Sequence, residues 1–309
     1  MTALSAPGGL PVEVLPTREA IASLQGYPWP RTAVAVVDQV RATSTIVAAL
    51  AAGASAVLPV AEPQEALALR AADPAWRIAG ERGARRLPGF DYGNSPREME
   101  AAADDLRGAR LALATTNGSR ALAAVPASTA AVYAFALMNV SATAAALARA
   151  ARAAQAAGGA GVGGGGAEAA GGAEAAGGAA AGGAAAGGAT SVRFRVLILC
   201  AGTEGGLALD DLLAAGALLD RLAGWGATPS GDAALVAQSV YRQWRGRELE
   251  CLRSSRAGRN VAAAGLAADL NACAAVDRHR FAARREGRLI IREELHRTEG
   301  LPAGGAAAT

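Results

Sequence analysis

The chain has 309 residues and a formal net charge of +3, with acids and bases interspersed. That length suits one large domain or two smaller ones, and so even a charge balance argues against nucleic acid as a partner. No lysine occurs, alanine and glycine dominate, and the chemical information therefore sits in Asn, Asp, Glu, Ser, Thr, Cys and the arginines.

Met1 to Pro11 lacks a basic start followed by an apolar run, so it does not read as a signal peptide. Strands are expected at Val12–Leu15 and Ala33–Val37, the latter running into Asp38-Gln39-Val40-Arg41-Ala42-Thr43-Ser44-Thr45. A helix follows over Ala42–Ala52, so the hydroxyls fall at a helix start, where free N–H groups attract anions. In one reading Asp38 holds a cation, Arg41 grips an anion, and Thr43, Ser44 and Thr45 cradle its oxygens. In the other, Thr43 or Ser44 is an N-cap and Asp38 with Arg41 a solvated pair.

A strand at Ala56–Val60 and a helix at Gln64–Ala72 lead to a strand at Trp76–Ala79. The polar loop Gly80 to Pro96 comes next, with Glu81, Arg82, Asp91 and Asn94. Ser95-Pro96-Arg97-Glu98 has the form of a capping box with proline at the first helical position, opening a helix over Pro96–Leu106. The strand Arg110–Ala114 then delivers Thr115, Thr116, Asn117 and Gly118 to a helix at Ser119–Ala124, a second nest of donors or a plain capped junction. Ala131–Phe135 and Val140–Ala156 continue the alternation. Ala121 to Ala148 carries no charge, but Pro126, Asn139 and the hydroxyl residues interrupt it, so a buried strand and helix explain it better than a membrane span.

Gly158 to Ala189 is almost pure Gly and Ala and reads as a flexible insertion. The apolar strand Val192–Leu199 then reaches Cys200-Ala201-Gly202-Thr203-Glu204. A helix over Ala208–Leu222 follows, led by Asp210 and Asp211. Those two acids either complement the helix start or, with Glu204, bind metal or act as a base. The remainder is mostly helical, over Asp232–Trp244 and Gly258–Leu270, with a late strand at Arg288–Ile291. The rhythm predicts an α/β protein with a largely parallel or mixed sheet. The segments read as an N-terminal α/β unit at 1–157, the insertion at 158–189, a C-terminal unit at 190–300 and a frayed tail at 301–309.

Cys200, Cys251 and Cys273 fit no zinc spacing and read as free thiols of a reducing, cytoplasmic setting. His279 and His296 are the only histidines. No thiolate phosphatase loop and no P-loop is present.

Taken in order, these stretches resemble the Mg²⁺-dependent 2-phosphosulfolactate phosphatases. The matching residues are Asp38 to Thr45, Gly80-Glu81-Arg82-Gly83, Gly89 to Pro96, Thr115 to Arg120, Cys200 to Glu204 with Asp210 and Asp211, and Ser254 to Arg259, with Gly265, Asp269, Cys273 and Asp277 beyond. The resemblance implies two α/β subdomains with a cleft between them, a homodimer, and hydrolysis of (R)-2-phospho-3-sulfolactate, a small anionic phosphate ester. So dense an anion needs guanidinium forks and a divalent cation. The resemblance puts Arg41, Thr43, Ser44, Thr45, Arg82, Asn94, Thr115, Thr116, Asn117, Gly118, Arg120, Gly202, Thr203, Ser255 and Arg259 around substrate. It puts Asp38, Glu81, Glu204, Asp210 and Asp211 on Mg²⁺, with Asp38, Glu81 and Glu204 doing the chemistry. A covalent route through Cys200 is the less favoured alternative. A related phosphorylated hydroxy acid as substrate, or a non-catalytic anion binder, are the competing readings. The insertion and the segment after Asp277 depart from the family pattern.

Overall fold

The computed structural model describes residues 9–159 and 193–295. The Gly/Ala insertion from residue 160 onward and the expected tail lie outside them.

Among the described residues eleven strands form one mixed sheet. In chain order they are β1 (Leu10–Leu15), β2 (Thr32–Val37), β3 (Ala56–Val60), β4 (Trp76–Arg82), β5 (Arg85–Arg86), β6 (Arg110–Ala114), β7 (Ala131–Ala134), β8 (Arg195–Cys200), β9 (Ala227–Ser230), β10 (Phe281–Glu286) and β11 (Leu289–Glu294). The α-helices are α1 (Ala42–Ala51), α2 (Pro63–Ala72), α3 (Pro96–Ala101), α4 (Ala103–Leu106), α5 (Gly118–Ala124), α6 (Val140–Gly159), α7 (Leu209–Ala223), α8 (Asp232–Trp244), α9 (Glu248–Ser254), α10 (Arg256–Ala263) and α11 (Asp269–Cys273).

Strand order across the sheet is β5-β4-β6-β3-β11-β10-β7-β2-β8-β1-β9. The α/β class and the mixed sheet are as expected. The two segments read as separate units both feed this one sheet: β8 lies between β2 and β1, and β10–β11 lies between β7 and β3. The pairing explains why. β2, with all six residues buried, takes parallel partners on both sides, β7 and β8. A strand covered on both faces reads as a continuous apolar run.

Pairings β10–β7, β10–β11 and β11–β3 are all antiparallel. The parallel block β3, β4, β6 therefore runs opposite to the block β7, β2, β8, β1, β9. One registered position, Ile290 with Val57, joins β11 to β3.

The period of two along β2 builds both cores. Ala33, Ala35 and Val37 pack with residues of α6, α7 and α8 such as Leu147, Leu213, Leu218 and Tyr241. Val34 and Val36 pack with Ile46, Val47 and Leu50 of α1 and with Leu111 and Leu113 of β6. Burial of α1 on every side follows, because it is wedged between the two blocks.

Ser95 caps α3, its hydroxyl accepting from Glu98 N at 3.2 Å, as the capping-box pattern predicts. The helix expected over Pro96–Leu106 breaks at Ala102, and that over Gly258–Leu270 breaks at Gly265, whose φ of +78 ends α10. Among the described residues no helix is long and apolar enough to cross a membrane.

Candidate active site

β2 ends at Val37 and the chain turns at once into α1. Thr43 fixes that turn: its N–H and hydroxyl both donate to Asp38 O at 3.0 Å, and its Oγ1 accepts from Asp38 N at 3.1 Å. Ser44 donates to Gln39 O at 2.8 Å. The result presents Asp38 and Arg41 to a cavity of about 530 Å³.

From the other block come Glu81, Gly83, Ala84 and Arg85 of the β4–β5 hairpin, together with Asn94, Thr116 and Asn117. The C-terminal half supplies Gly202, Thr203, Glu204, Asp210 and Asp211, and α10 supplies Ala257, Asn260 and Val261. The cavity thus lies between the two parallel blocks. The closeness of approach is set by Gly118, where a Cβ would stand 2.5 Å from Ala42 Cβ and 2.8 Å from Asp38 Oδ2. Only glycine lets the turn after β6 reach the end of β2.

Three buried carboxylates crowd one wall, Asp38 at 9 % exposure and Asp210 and Asp211 at 2 % each. Burial, then the charge of Asp210, pushes the Asp38 carboxyl up to about 7. Burial pushes Asp210 up to about 6. Asp211 is raised well above the usual carboxylate range by burial and by both neighbours. Asp211 is nonetheless fully engaged: its two oxygens accept from Gln39 N at 2.8 Å and Gly202 N at 2.9 Å. It pins the turn after β8 to the turn after β2. Asp210 Oδ1, by contrast, is buried without a hydrogen-bond partner among the described residues.

Glu81 is also committed to structure. Oε1 accepts from Thr116 N at 3.1 Å and Oγ1 at 2.9 Å, and Oε2 accepts from Ala84 N at 2.9 Å. It ties the hairpin to the Thr116 turn. Gly83 and Ala84, at φ +59 and +63, form a two-residue turn of the kind that suits a tight hairpin. The Asn94 side chain, 5 % exposed, leaves its Oδ1 without a partner among the described residues at the cavity wall.

The donor set is all oxygen. Among the described residues no group of three or more His, Cys, Asp or Glu side chains forms a ready metal cage. Mg²⁺ keeps several waters and takes one or two carboxylates beside substrate phosphate, so Asp38 and the unpartnered Asp210 oxygen fit it. Their mutual repulsion is what a divalent cation would relieve.

The sequence profile of the family described as 2-phosphosulpholactate phosphatase matches residues 21–164 and 177–286. The chain belongs to the 2-phosphosulfolactate phosphatase family. The gap in the match falls within the Gly/Ala insertion, and the match runs on to Glu286, past the point at Asp277 where the sequence pattern departs.

Relatives carry the name "Probable 2-phosphosulfolactate phosphatase". That of Symbiobacterium thermophilum is 32% identical over 77% of this chain and 84% of its own. That of Deinococcus radiodurans is 32% identical over 80% and 84%. One from a Synechococcus species is 34% identical over 81% and 86%.

Within this phosphatase fold, several residues expected at the site are placed elsewhere. Thr43 and Ser44 turn back on the β2–α1 turn, and Thr45 is buried inside α1, so the hydroxyl run builds the wall instead of facing substrate. Thr115 pairs with Ser119 at 3.0 Å, and Ser255 caps α10 by accepting from Gly258 N. Arg82 donates to Glu81 O, Arg120 pairs with Glu62, and Arg259 donates to Ser254 O; none of the three lines the cavity. Glu204 stands at the rim, 61 % exposed and paired with Arg256.

The Cys200 alternative is corrected. The thiol is fully buried behind Asp211, off the cavity, and burial raises its pKa well above the usual thiol range. A nucleophile needs the opposite shift and access. Cys200→Ala is expected to keep kcat within about threefold of wild type, as measured by phosphate release; a loss beyond about 100-fold in a folded variant would restore the thiol route.

Arg85 and Asn260 were not singled out from sequence for the site, and Asp269 entered only as a residue matching the family pattern, with no role. Arg85 lies inside the polar stretch Gly80 to Pro96. The role of Asp269 had no local signal, because its partner Arg41 is 228 positions away.

Proposed function

We propose that this chain hydrolyses the phosphate monoester of (R)-2-phospho-3-sulfolactate to 3-sulfolactate and inorganic phosphate, with Mg²⁺ held by Asp38 and Asp210. The observation that carries the reading is the joining of buried acids and guanidinium groups in one cavity, with Asp38, Asp210 and Asp211 beside Arg41 and Arg85. Its volume of about 530 Å³ lies within the usual range for small-molecule sites.

Phosphoryl transfer from a dianionic ester asks little covalent chemistry of the protein; positioning and charge stabilisation do most of the work. Arg41 and Arg85 supply positive charge for the three anionic groups of the substrate. Asn94 and the Thr116–Asn117 turn orient it, and Ala257, Val261, Ala263 and Ala264 give the far side a small apolar lining. Asp211 and Glu81, each bound at both oxygens, hold the loops that carry these groups. When bound, the cation neutralises phosphoryl charge and orients the attacking water.

A cytoplasmic setting accords with three free, buried cysteines. A homodimer belongs to the same proposal; Leu235 and Val236, 53 % and 48 % exposed on α8, offer it an apolar face.

The test is phosphate release from 2-phospho-3-sulfolactate and from a panel of other phosphorylated hydroxy acids, with Mg²⁺ and with EDTA. Cation-dependent turnover that is fastest on the sulfonate is expected. Equal turnover across the panel would assign a broader hydroxy-acid phosphatase. Phosphate binding without turnover would assign an anion-binding protein.

A further inference from the structure

Arg41 is 3 % exposed in the cavity wall. Its Nη1 donates to Asp269 Oδ2 at 2.6 Å and its Nη2 to Ala84 O at 3.4 Å. Asp269 is itself 3 % exposed, and its other oxygen accepts from the Ser95 hydroxyl at 2.7 Å. The starts of three helices, α1, α3 and α11, are thus joined through one carboxylate.

The arrangement poses an electrostatic question. Arg41 lies three residues from Asp38 and shares its cavity with Asp210 and Asp211, all of them buried acids. An unrestrained guanidinium in such surroundings moves onto the nearest carboxylates, since attraction between charges grows as the dielectric falls. Arg41 instead pairs with Asp269, which does not line the cavity. A guanidinium has five N–H donors in a fixed plane. With Nη1 on Asp269 and Nη2 on Ala84, Arg41 lines the cavity while making no hydrogen bond to the three acids among the described residues.

We infer that Asp269 is a positioning residue: it holds the Arg41 fork toward the anionic substrate and off Asp38 and Asp210. Both halves of the site depend on it. The fork keeps its donors for the anion, and the acids keep their oxygens for a cation. The inference rests on the phosphatase reading, and it names a residue that touches neither substrate nor cation.

The probe is inorganic phosphate, followed by calorimetry on the full-length protein, with kcat and KM measured alongside. Asp269→Asn is expected to weaken phosphate binding about tenfold or more and to raise KM by a similar factor. Asp269→Glu, which restores the charge, should recover most of that loss. Arg41→Met should weaken binding likewise, and the double variant Arg41→Met with Asp269→Asn should bind as Arg41→Met does, within about twofold. A merely structural Asp269 would lower the melting temperature and leave phosphate affinity unchanged, or its effect would add to that of Arg41→Met; either outcome overturns the inference. Should Asp269→Asn fail to fold, Ser95→Ala loosens Asp269 from its second anchor. A smaller rise in the phosphate dissociation constant is then expected, and no rise overturns the inference. A wild-type protein that turns over substrate while the Asp269 variants bind normally defeats this inference alone. A wild type that neither binds phosphate nor releases it defeats the phosphatase reading as well.

Discussion

Asp210→Asn is expected to cut phosphate release by about 10²–10³-fold while making the cation-free protein more resistant to heat at pH 8. The two effects have one cause. Asp210 is buried, its Oδ1 lacks a hydrogen-bond partner among the described residues, and its charge is the leading electrostatic influence raising both Asp38 and Asp211 after burial itself. Asparagine has nearly the same shape and no charge, so the core is undisturbed and the repulsion is gone. Each unit of pKa relief corresponds to about 1.4 kcal/mol, so a gain on the order of 1–3 kcal/mol is expected, or several degrees in melting temperature. The loss of turnover follows because that oxygen, unpartnered among the described residues, is the one the proposed cation would share with Asp38. Thermal melts in EDTA and a phosphate-release assay on the same preparation check both halves. A variant that melts lower and still turns over would show that Asp210 is a structural acid and not part of the site's chemistry.

The helix–strand rhythm made the α/β class and most elements readable from sequence, and the reason is visible in β2. The apolar runs were long enough to fill strands, and those of β2, β6 and β8 ended at polar stretches that the structure uses as turns, whereas the run at Trp76–Ala79 continues as strand through Glu81 and Arg82. β9 and β10 escaped. Ala227–Ser230 contains Pro229 and is a short edge strand, which looks like a turn in isolation. Phe281–Glu286 buries only Phe281, Ala282 and Ala283, and its second half is charged. What makes it a strand is pairing with β7 and β11, which no local pattern carries. Because that hairpin joins the two blocks, missing it also hid how the segments at 1–157 and 190–300 share a sheet.

The site divides along similar lines. Asp38, Asp210, Asn94 and Asn117 could be picked from sequence because polar residues at strand ends face ligands. Direction could not be picked. Thr43, Ser44 and Arg82 stand in the same clusters, yet they turn inward or away. Whether a hydroxyl at a helix start serves a ligand or its own backbone depends on bonds such as Thr43 to Asp38 O. Asp269 shows the extreme case, a buried partner whose purpose appears only once distant helices meet.

The strongest expected dependence on conditions is that the cation-free protein loses stability as pH rises from about 4 to about 7, and that Mg²⁺ restores it. Asp38 and Asp210 have an ordinary value of 3.8 and are raised in the fold to about 7 and about 6. Between those values and 3.8 the folded state keeps protons that the unfolded chain releases. The unfolded state therefore binds fewer protons, and stability must fall with rising pH across that window, levelling off above about 7. The stabilisation is fully present below about 4 and lost as pH passes the folded values. Two coupled buried acids make the loss on the order of a few kcal/mol, roughly 10 °C for a chain of this size. A divalent cation binds only the ionised pair, so its effect has the opposite pH dependence. The shift in melting temperature caused by 10 mM Mg²⁺, taken as roughly RT ln(1 + [L]/Kd), should be small at pH 5 and large at pH 8. In Asp210→Asn that shift should largely vanish at both pH values. Melts in EDTA and in Mg²⁺ across this range separate the possibilities. A melting temperature that rises with pH in EDTA would mean that the acids are paired rather than crowded. A Mg²⁺ shift of equal size at pH 5 and pH 8 would place the cation away from Asp38 and Asp210.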